Sequence, residues 1–465
     1  MTNSRRKFVK QVAGLSGLAL TGMPHVFAHT KRHGFMKRNK ITIKGVSSDF
    51  EREPLIRPFG FKGGYMSEIW QAVAMMENQS GIRKIGLGTQ SVLWSDAEVF
   101  AGNSEAGGNA LMYAITNYAL DMIKGHSFTD PINLLDDIFD DVYKYGKMIM
   151  HKPDLRKTFA LNALVAVDNA AWLVYAEEHN INNFDDLIPE KYKPALSHHH
   201  KSVASIPLMS YSVPIKEIKD AADQGYFFMK IKIGQPGSQK EMLKKDMERL
   251  TAIHKAIGHY ETIHTEDGKL PYYFDANGRY QEKETLLKLL DHAKKIGAFD
   301  QIAVIEEPFP EEKEILVGDF GVPIAADESA HTDKDALQRI EMGYKAIALK
   351  AIAKTLSMTF KIAEVAHEKN IPCFCADLTV NPILIDWNKN VAARLAPFPG
   401  IKLGLLETNG HQNYKNWNIM ESYHPYSDAS WRKVENGVFK LDSDFYKKSG
   451  GIFNKSEHYH KLFQY

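Results

Sequence analysis

The chain has 465 residues, with 58 lysines and arginines against 57 aspartates and glutamates and a formal net charge of +1. That length exceeds one ordinary core, so two domains with extensions are expected; the charge balance gives no whole-molecule attraction for nucleic acid or an anionic membrane and points to a small-molecule partner. The two cysteines, Cys373 and Cys375, would share one face of a strand with their Cβ atoms too far apart for an unstrained disulfide, so no bridge is expected and cysteine usage leaves the compartment open.

The first residues speak to the compartment. Ser4-Arg-Arg-Lys-Phe-Val-Lys10 precedes the apolar run Val12-Ala-Gly-Leu-Ser-Gly-Leu-Ala-Leu20, the pattern of a twin-arginine export signal. The run is shorter than the ~20 apolar residues that span a bilayer, so residues 1–28 read as a signal peptide with cleavage near Val26-Phe-Ala28. A basic tail beside a short helix is the alternative. On the signal reading the mature protein starts near His29, lies in the periplasm and keeps no membrane attachment.

Residues 40–190 read as an α+β domain. Ile41-Thr-Ile-Lys-Gly45 starts a strand, and the glycine-rich stretches 59–65 and 86–96 read either as loops able to close over a ligand or as ordinary hairpin and turn segments. Helical patterns follow from Asn109. The segment 159–175 is apolar almost all round, as a helix buried at a domain junction would be; Asn162, Asp168 and Asn169 argue against its spanning a membrane. The polar stretch 191–201 reads as a linker. Its His198-His199-His200 cannot all face one ion on regular backbone, so a solvated loop is expected there.

Beyond residue 202 the pattern changes. Short apolar runs ending in charge or polarity begin at residues 203, 229, 272, 303, 323, 346, 372 and 401, and helical patterns at 216–224, 239–257, 283–295, 335–341, 358–368 and 384–395 alternate with them. Such alternation predicts a parallel sheet. Eight strands make residues 202–410 an α/β modified TIM barrel, (β/α)7β, interrupted by an insertion at 260–268. Residues 411–465, with Trp417 and Trp431, are expected to pack back on the N-terminal domain.

Barrel chemistry sits at the C-terminal strand tips. Asp275, Glu306 and Asp327 end three successive strands, and three hard oxygen donors without Cys or His favour Mg2+, although any one of them reads equally as a buried ion-pair partner. Adjacent strand residues face opposite ways, so only one of Glu306 and Glu307, and one of Asp327 and Glu328, can meet an ion. Lys230 and Lys232 share a face, where mutual repulsion and burial should lower at least one ammonium pKa. Lys350 alone reads equally as a surface lysine, with Lys354 one helical turn later.

Taken in order, Lys230-Ile-Lys232, Asp275-Ala-Asn277, Ile305-Glu-Glu-Pro308, Ala326-Asp-Glu-Ser329 and the strand-end Lys350 resemble the enolase superfamily, and within it the mandelate racemase/muconate lactonizing enzyme family with its dipeptide-epimerase-like subgroup. The resemblance implies an N-terminal capping domain whose loops cover the barrel mouth, and Asp275, Glu306 and Asp327 as ligands of Mg2+, with Glu307 turned to neighbouring helices or loop and Glu328 beside a lysine. It implies Lys232 and Lys350 as acid and base on opposite faces of a carboxylate substrate, Lys230 as the charge that holds the carboxylate or enediolate, and a homo-oligomer as compatible. Substrate contacts then fall on Asn277, Asp377, Asn381, Glu407 and Asn409. The chain departs from the pattern at Leu406-Glu-Thr-Asn409, where dipeptide epimerases carry Asp-x-Asp, and at Cys375-Ala-Asp377. These residues suit a hydroxyl-rich acid sugar at least as well as a dipeptide. Racemisation or epimerisation, cycloisomerisation and dehydration all remain open, as does a non-catalytic binding role.

Overall fold

The computed structural model describes residues 40–61 and 64–464; the export signal at 1–28 lies outside the described residues. The first element is a long antiparallel hairpin, Ile41–Phe61 against Gly64–Asn78. Its register runs from Ile43↔Asn78 to Pro54↔Glu68 and resumes at Phe59↔Met66, so residues 55–58 bulge out opposite Ser67 alone. Arg83–Gln90 adds a third antiparallel strand. The stretch 86–90 is therefore sheet rather than loop, and its glycines have a packing reason. The helix Lys157–Glu178 lies directly on it, and a Cβ on Gly86 would fall 2.1 Å from the Ala166 carbonyl oxygen. Among the described residues this is the helix long and apolar enough to cross a membrane, yet its apolar window is wholly buried, as its all-round apolar pattern predicted.

The second layer is the barrel. Its parallel strands are Ser202–Ile206 continued by Leu208–Met209, then Met229–Lys232, Tyr272–Asp275, Ile302–Glu306, Ile324–Ala326, Ala346–Leu349, Cys373–Cys375 and Gly404–Glu407. Pro207 has no N–H to give and splits the first strand. The part before it pairs with Gly404–Glu407 and the part after it with Met229–Lys232, which closes the barrel through one chain segment. Gln412 patches the break with side-chain bonds to both Leu208 N and Leu208 O. Six of the seven crossovers carry an α-helix; after Ile302–Glu306 there is only the 3₁₀ turn Glu311–Lys313, in a stretch broken by Pro308, Pro310, Gly318, Gly321 and Pro323. The last strand starts three residues later than its apolar run suggests, because Ile401 is bridged to Thr265 and Lys402 N bonds His264 O in the 260–269 insertion.

Residues 411–465 reach both domains. Tyr414 is bridged to Leu55 and His458 meets Glu51 Oε1 at 2.8 Å on the capping hairpin, but Val438–Lys440 also joins the barrel sheet antiparallel to Ser202–Ile206. Buried Asp386, on the barrel helix Pro382–Ala392, ties the segment down through His424 at 3.0 Å. The histidine run is only partly solvated: His200 is buried with Nε2 on Leu395 O. Cys373 and Cys375 are both buried and free.

Candidate active site

Strand register aligns the site. Lys232 pairs with Asp275 and Asp275 with Glu306, so three functional side chains from neighbouring strands stand abreast at one level. Lys232 Nζ lies 2.5 Å from Asp275 Oδ2 and 2.6 Å from Asn277 Oδ1. Lys230, one pleat deeper on the same face, meets Glu306 Oε1 at 2.8 Å, Asp275 Oδ2 at 3.0 Å and Glu407 Oε2 at 3.2 Å. Burial disfavours its ammonium, but Asp275, Glu306 and Glu407 outweigh that and hold its pKa well above the ordinary lysine value. Lys230 is thereby held as an ammonium, and it shares Asp275 with Lys232.

Opposite them, Lys350 Nζ meets Asp327 Oδ2 at 2.5 Å and sits 4.3 Å from the Trp94 ring. It is 2% exposed, which removes the surface-lysine reading. Lys354, one turn on, is buried as well and donates to Asp327 O at 2.6 Å and Ala330 O at 3.0 Å. Nothing in the sequence marked it, since an i+4 lysine reads as a solvated helix face.

Glu306 faces the lumen, where it meets Lys230 and also accepts a hydrogen bond from Tyr273 Oη. Glu307 faces away but is no bystander: its Oε2 accepts from Asp327 N at 2.8 Å and Ser329 N at 3.3 Å, holding the Asp327 loop. Burial, with Glu328 nearby, pushes its pKa up to about 7. Glu328 accepts from Asn277 Nδ2 at 2.9 Å rather than from a lysine. The capping-domain Arg156 reaches across to the Glu328 carbonyl at 2.9 Å and to Glu311 at 2.8 Å.

For a cation, the nearest carboxylate trio is Glu306, Asp327 and Glu328, whose oxygens fall within 4.8 Å of one another, while Asp275 is engaged by both lysines. Glu328 Oε2 is buried without a hydrogen-bond partner. Seven buried carboxyls gather here, Asp275, Glu306, Glu307, Asp327, Glu328, Asp377 and Glu407, against four buried lysines, 230, 232, 350 and 354. An all-oxygen donor set with excess negative charge and an orphaned oxygen fits a hard divalent ion such as Mg2+.

Ten of these side chains, Lys230, Lys232, Asp275, Asn277, Asp327, Glu328, Lys350, Asp377, Glu407 and Asn409, line one cavity of about 40 Å³, roofed by Phe59, Met66 and Trp94 of the capping domain. The 59–65 and 86–96 stretches thus do supply covering side chains. Trp94 Nε1 is a buried donor without a partner. Asn381 does not reach the cavity: its side chain caps the helix Pro382–Ala392 through Ile383 N and Leu384 N and accepts no other role than a bond to Gln71. Asp377 and Glu407 are held inward, Asp377 by Leu378 N and Asn409 N, Glu407 by Lys230, Asp377 N and Asn409 Nδ2.

A closed parallel barrel with lysines and carboxylates converging at its C-terminal mouth under a capping domain defines the class of molecule. Residues 215–402 match the family model described as Enolase C-terminal domain-like. The chain is 30% identical to the L-Ala-D/L-Glu epimerase of Clostridium acetobutylicum over 127 residues, which is 26% of this chain and 30% of that enzyme. By fold it is similar to a mandelate racemase/muconate lactonizing protein of Herpetosiphon aurantiacus (TM-score 0.59, 15% identity, covering 86% of this chain and 96% of that one). It is equally similar to the L-talarate dehydratase of a Polaromonas species, solved with Mg and L-glucarate (TM-score 0.59, 17% identity, 86% and 93%).

Proposed function

We propose that this protein is a Mg2+-dependent isomerase, a racemase/epimerase or cycloisomerase, that removes a proton α to a carboxylate by way of an enediolate, on an acid sugar or dipeptide-like substrate. One observation carries the reading: Lys232 and Lys350 line the same cavity from opposite barrel walls, with the carboxylate trio beside them. Lysines so placed can each address one face of a carbon between them.

Glu306, Asp327 and Glu328 would hold Mg2+, with Asp275 beside them. The ion would supply positive charge next to the substrate carboxylate as negative charge builds on it. The protein's own part is to keep Lys230 charged, to hold Lys232 against Asn277 and Asp275, and to hold Lys350 against Asp327. Phe59, Met66 and Trp94 cover part of the cavity with apolar surface, which lowers the dielectric in which the preorganised charge acts. Trp94 Nε1 is a donor available to a substrate oxygen.

Between the two substrate classes, Glu407 is already engaged by Lys230, Asp377 N and Asn409 Nδ2, which favours an acid that brings no ammonium group over a dipeptide, whose N-terminal ammonium needs a free carboxylate partner. This supports an acid sugar, and with it dehydration as the second reading. The relatives named above include both reaction types. The test is Mg2+-dependent exchange of the α-proton for deuterium across a library of acid sugars and dipeptides. Exchange on none of them, with Mg2+ bound, would leave a binding protein instead. We propose periplasmic export for the chain on the strength of its twin-arginine sequence.

A further inference from the structure

Asp246, on the helix Gln239–Ile257, is fully buried outside the barrel wall. Gly234 N donates to its Oδ2 at 2.7 Å and Gln235 N to its Oδ1 at 3.4 Å, both from the loop that leaves the Lys232 strand. Tyr280 Oη donates to the same Oδ2 at 2.8 Å, from the loop that leaves the Asp275 strand. One carboxylate thus joins two active-site loops. A buried carboxylate hydrogen-bonded by neutral donors alone costs stability, so what Asp246 contributes is geometry.

The two loops follow the strand tips that hold Lys232. Ile233 N bonds Asp275 O at 2.9 Å, and the paired register of these strands ends at Lys232↔Asp275. Past that point side chains of one helix hold the loops: Asp246 bridges them, while Gln239 accepts from Gln281 N at 3.0 Å and donates to Arg279 O at 2.8 Å. Gly234, at a φ of 80°, lets the loops touch, since an added Cβ would fall 2.6 Å from Arg279 Cβ. Tyr280 lies just past Asn277, whose Oδ1 meets Lys232 Nζ at 2.6 Å. Lys350, across the lumen, is held by Asp327 on a different strand.

We infer that Asp246 is a positioning residue for Lys232: by tying Gly234 to Tyr280 it keeps Asn277 against the Lys232 ammonium, and it leaves Lys350 untouched. The kinetic consequence rests on the proton-transfer reading above; the geometric one does not.

The test compares the two lysines within one protein. The full chain is treated with formaldehyde and a borohydride reductant, and dimethylation of Lys232 and Lys350 is timed by peptide mass spectrometry. In Asp246→Leu, Lys232 should react about tenfold faster than in wild type, the factor that one lost hydrogen bond to a charged group is worth, and Lys350 should react at its wild-type rate. General loosening of the barrel would instead raise both. Asp246→Asn, whose amide oxygen can still accept from Gly234 N and Tyr280 Oη, should label as wild type does. Tyr280→Phe keeps the buried ring and should show the Lys232 effect in smaller degree, which carries the comparison where Asp246→Leu does not fold. An equal rise at both lysines, no rise at Lys232 in either folded variant, or a rise in Asp246→Asn as large as in Asp246→Leu overturns the inference. With an acid whose α-proton the wild type exchanges in both epimers, Asp246→Leu should slow exchange of the epimer facing Lys232 by about 100-fold, as a misplacement of about 1 Å does, and spare the other. Absence of exchange in the wild type, with selective labelling intact, would count against the proposed reaction and leave the role of Asp246 standing.

Discussion

Asp168 makes the coupling between capping domain and barrel measurable. It lies on the helix Lys157–Glu178, fully buried, where it accepts from Ser357 Oγ at 2.5 Å and Ser357 N at 3.1 Å on the barrel helix Leu356–Glu368. Trp172 Nε1 completes the cluster by donating to Ser357 Oγ at 3.0 Å. Burial raises its pKa from 3.8 to about 7 despite these hydrogen bonds. A folded-state pKa above the unfolded one means the folded state holds the proton more tightly, so the contribution to stability is full below about pH 4 and is lost as pH rises through 7. About three pH units at about 1.4 kcal/mol each is roughly 4 kcal/mol. Asp168→Asn keeps the shape and cannot ionise. The difference in unfolding free energy, wild type minus variant, should therefore fall by up to about 4 kcal/mol between pH 4 and pH 8. At pH 8 the variant should be the more stable, less whatever its imperfect hydrogen bonds cost, about 1–3 kcal/mol. Urea midpoints of the two proteins at matched pH values read this directly. Parallel pH curves would refute a neutral-when-buried Asp168.

Three further outcomes follow from the same contacts. Lys354→Met removes the Lys354 bond to the Ala330 carbonyl and leaves the Asp327 carbonyl with the Ala330 N–H alone, and should cost about 2–4 kcal/mol together with weaker Mg2+ binding by calorimetry; unchanged Mg2+ affinity would deny Lys354 a part in holding Asp327. Glu306→Gln should abolish activity and cut Mg2+ affinity, while Glu307→Gln should be milder because an amide oxygen still accepts from Asp327 N and Ser329 N; equal loss of Mg2+ in both would contradict the facing assigned to the two glutamates. Replacing Arg5 and Arg6 together by Lys should retain the precursor in the cytoplasm, folded and active, and normal export on cell fractionation would end the twin-arginine reading.

Much of the barrel was legible because each strand is a short apolar run stopped by a functional residue, a pattern that parallel, doubly covered strands impose. Strand parity required that only one of Glu306 and Glu307 face the lumen, and the family resemblance chose Glu306. Asn381 misled: a polar residue beside Asp377 looked like a substrate contact, although Asn followed by Pro382 is a helix-start signal that local chemistry explains. Gly86 and Gly88 read as loop glycines because the helix that presses on them is some 80 residues away in sequence. The pairing of Val438–Lys440 with Ser202–Ile206, and the return of Lys354 to Asp327, are non-local in the same sense. No spacing rule encodes them.

The central claim is that Lys232 and Lys350 serve opposite faces of one α-carbon, and deuterium exchange by the two single alanine variants tests it most directly. With Mg2+ bound and a substrate that both epimers of which can be prepared, Lys232→Ala should still exchange the α-proton of the epimer whose proton faces Lys350, and Lys350→Ala should exchange only the other, with full turnover lost in each. If the reaction is a dehydration or cycloisomerisation, one variant alone loses exchange. Full turnover retained in either variant would contradict the assignment of that lysine to the chemistry.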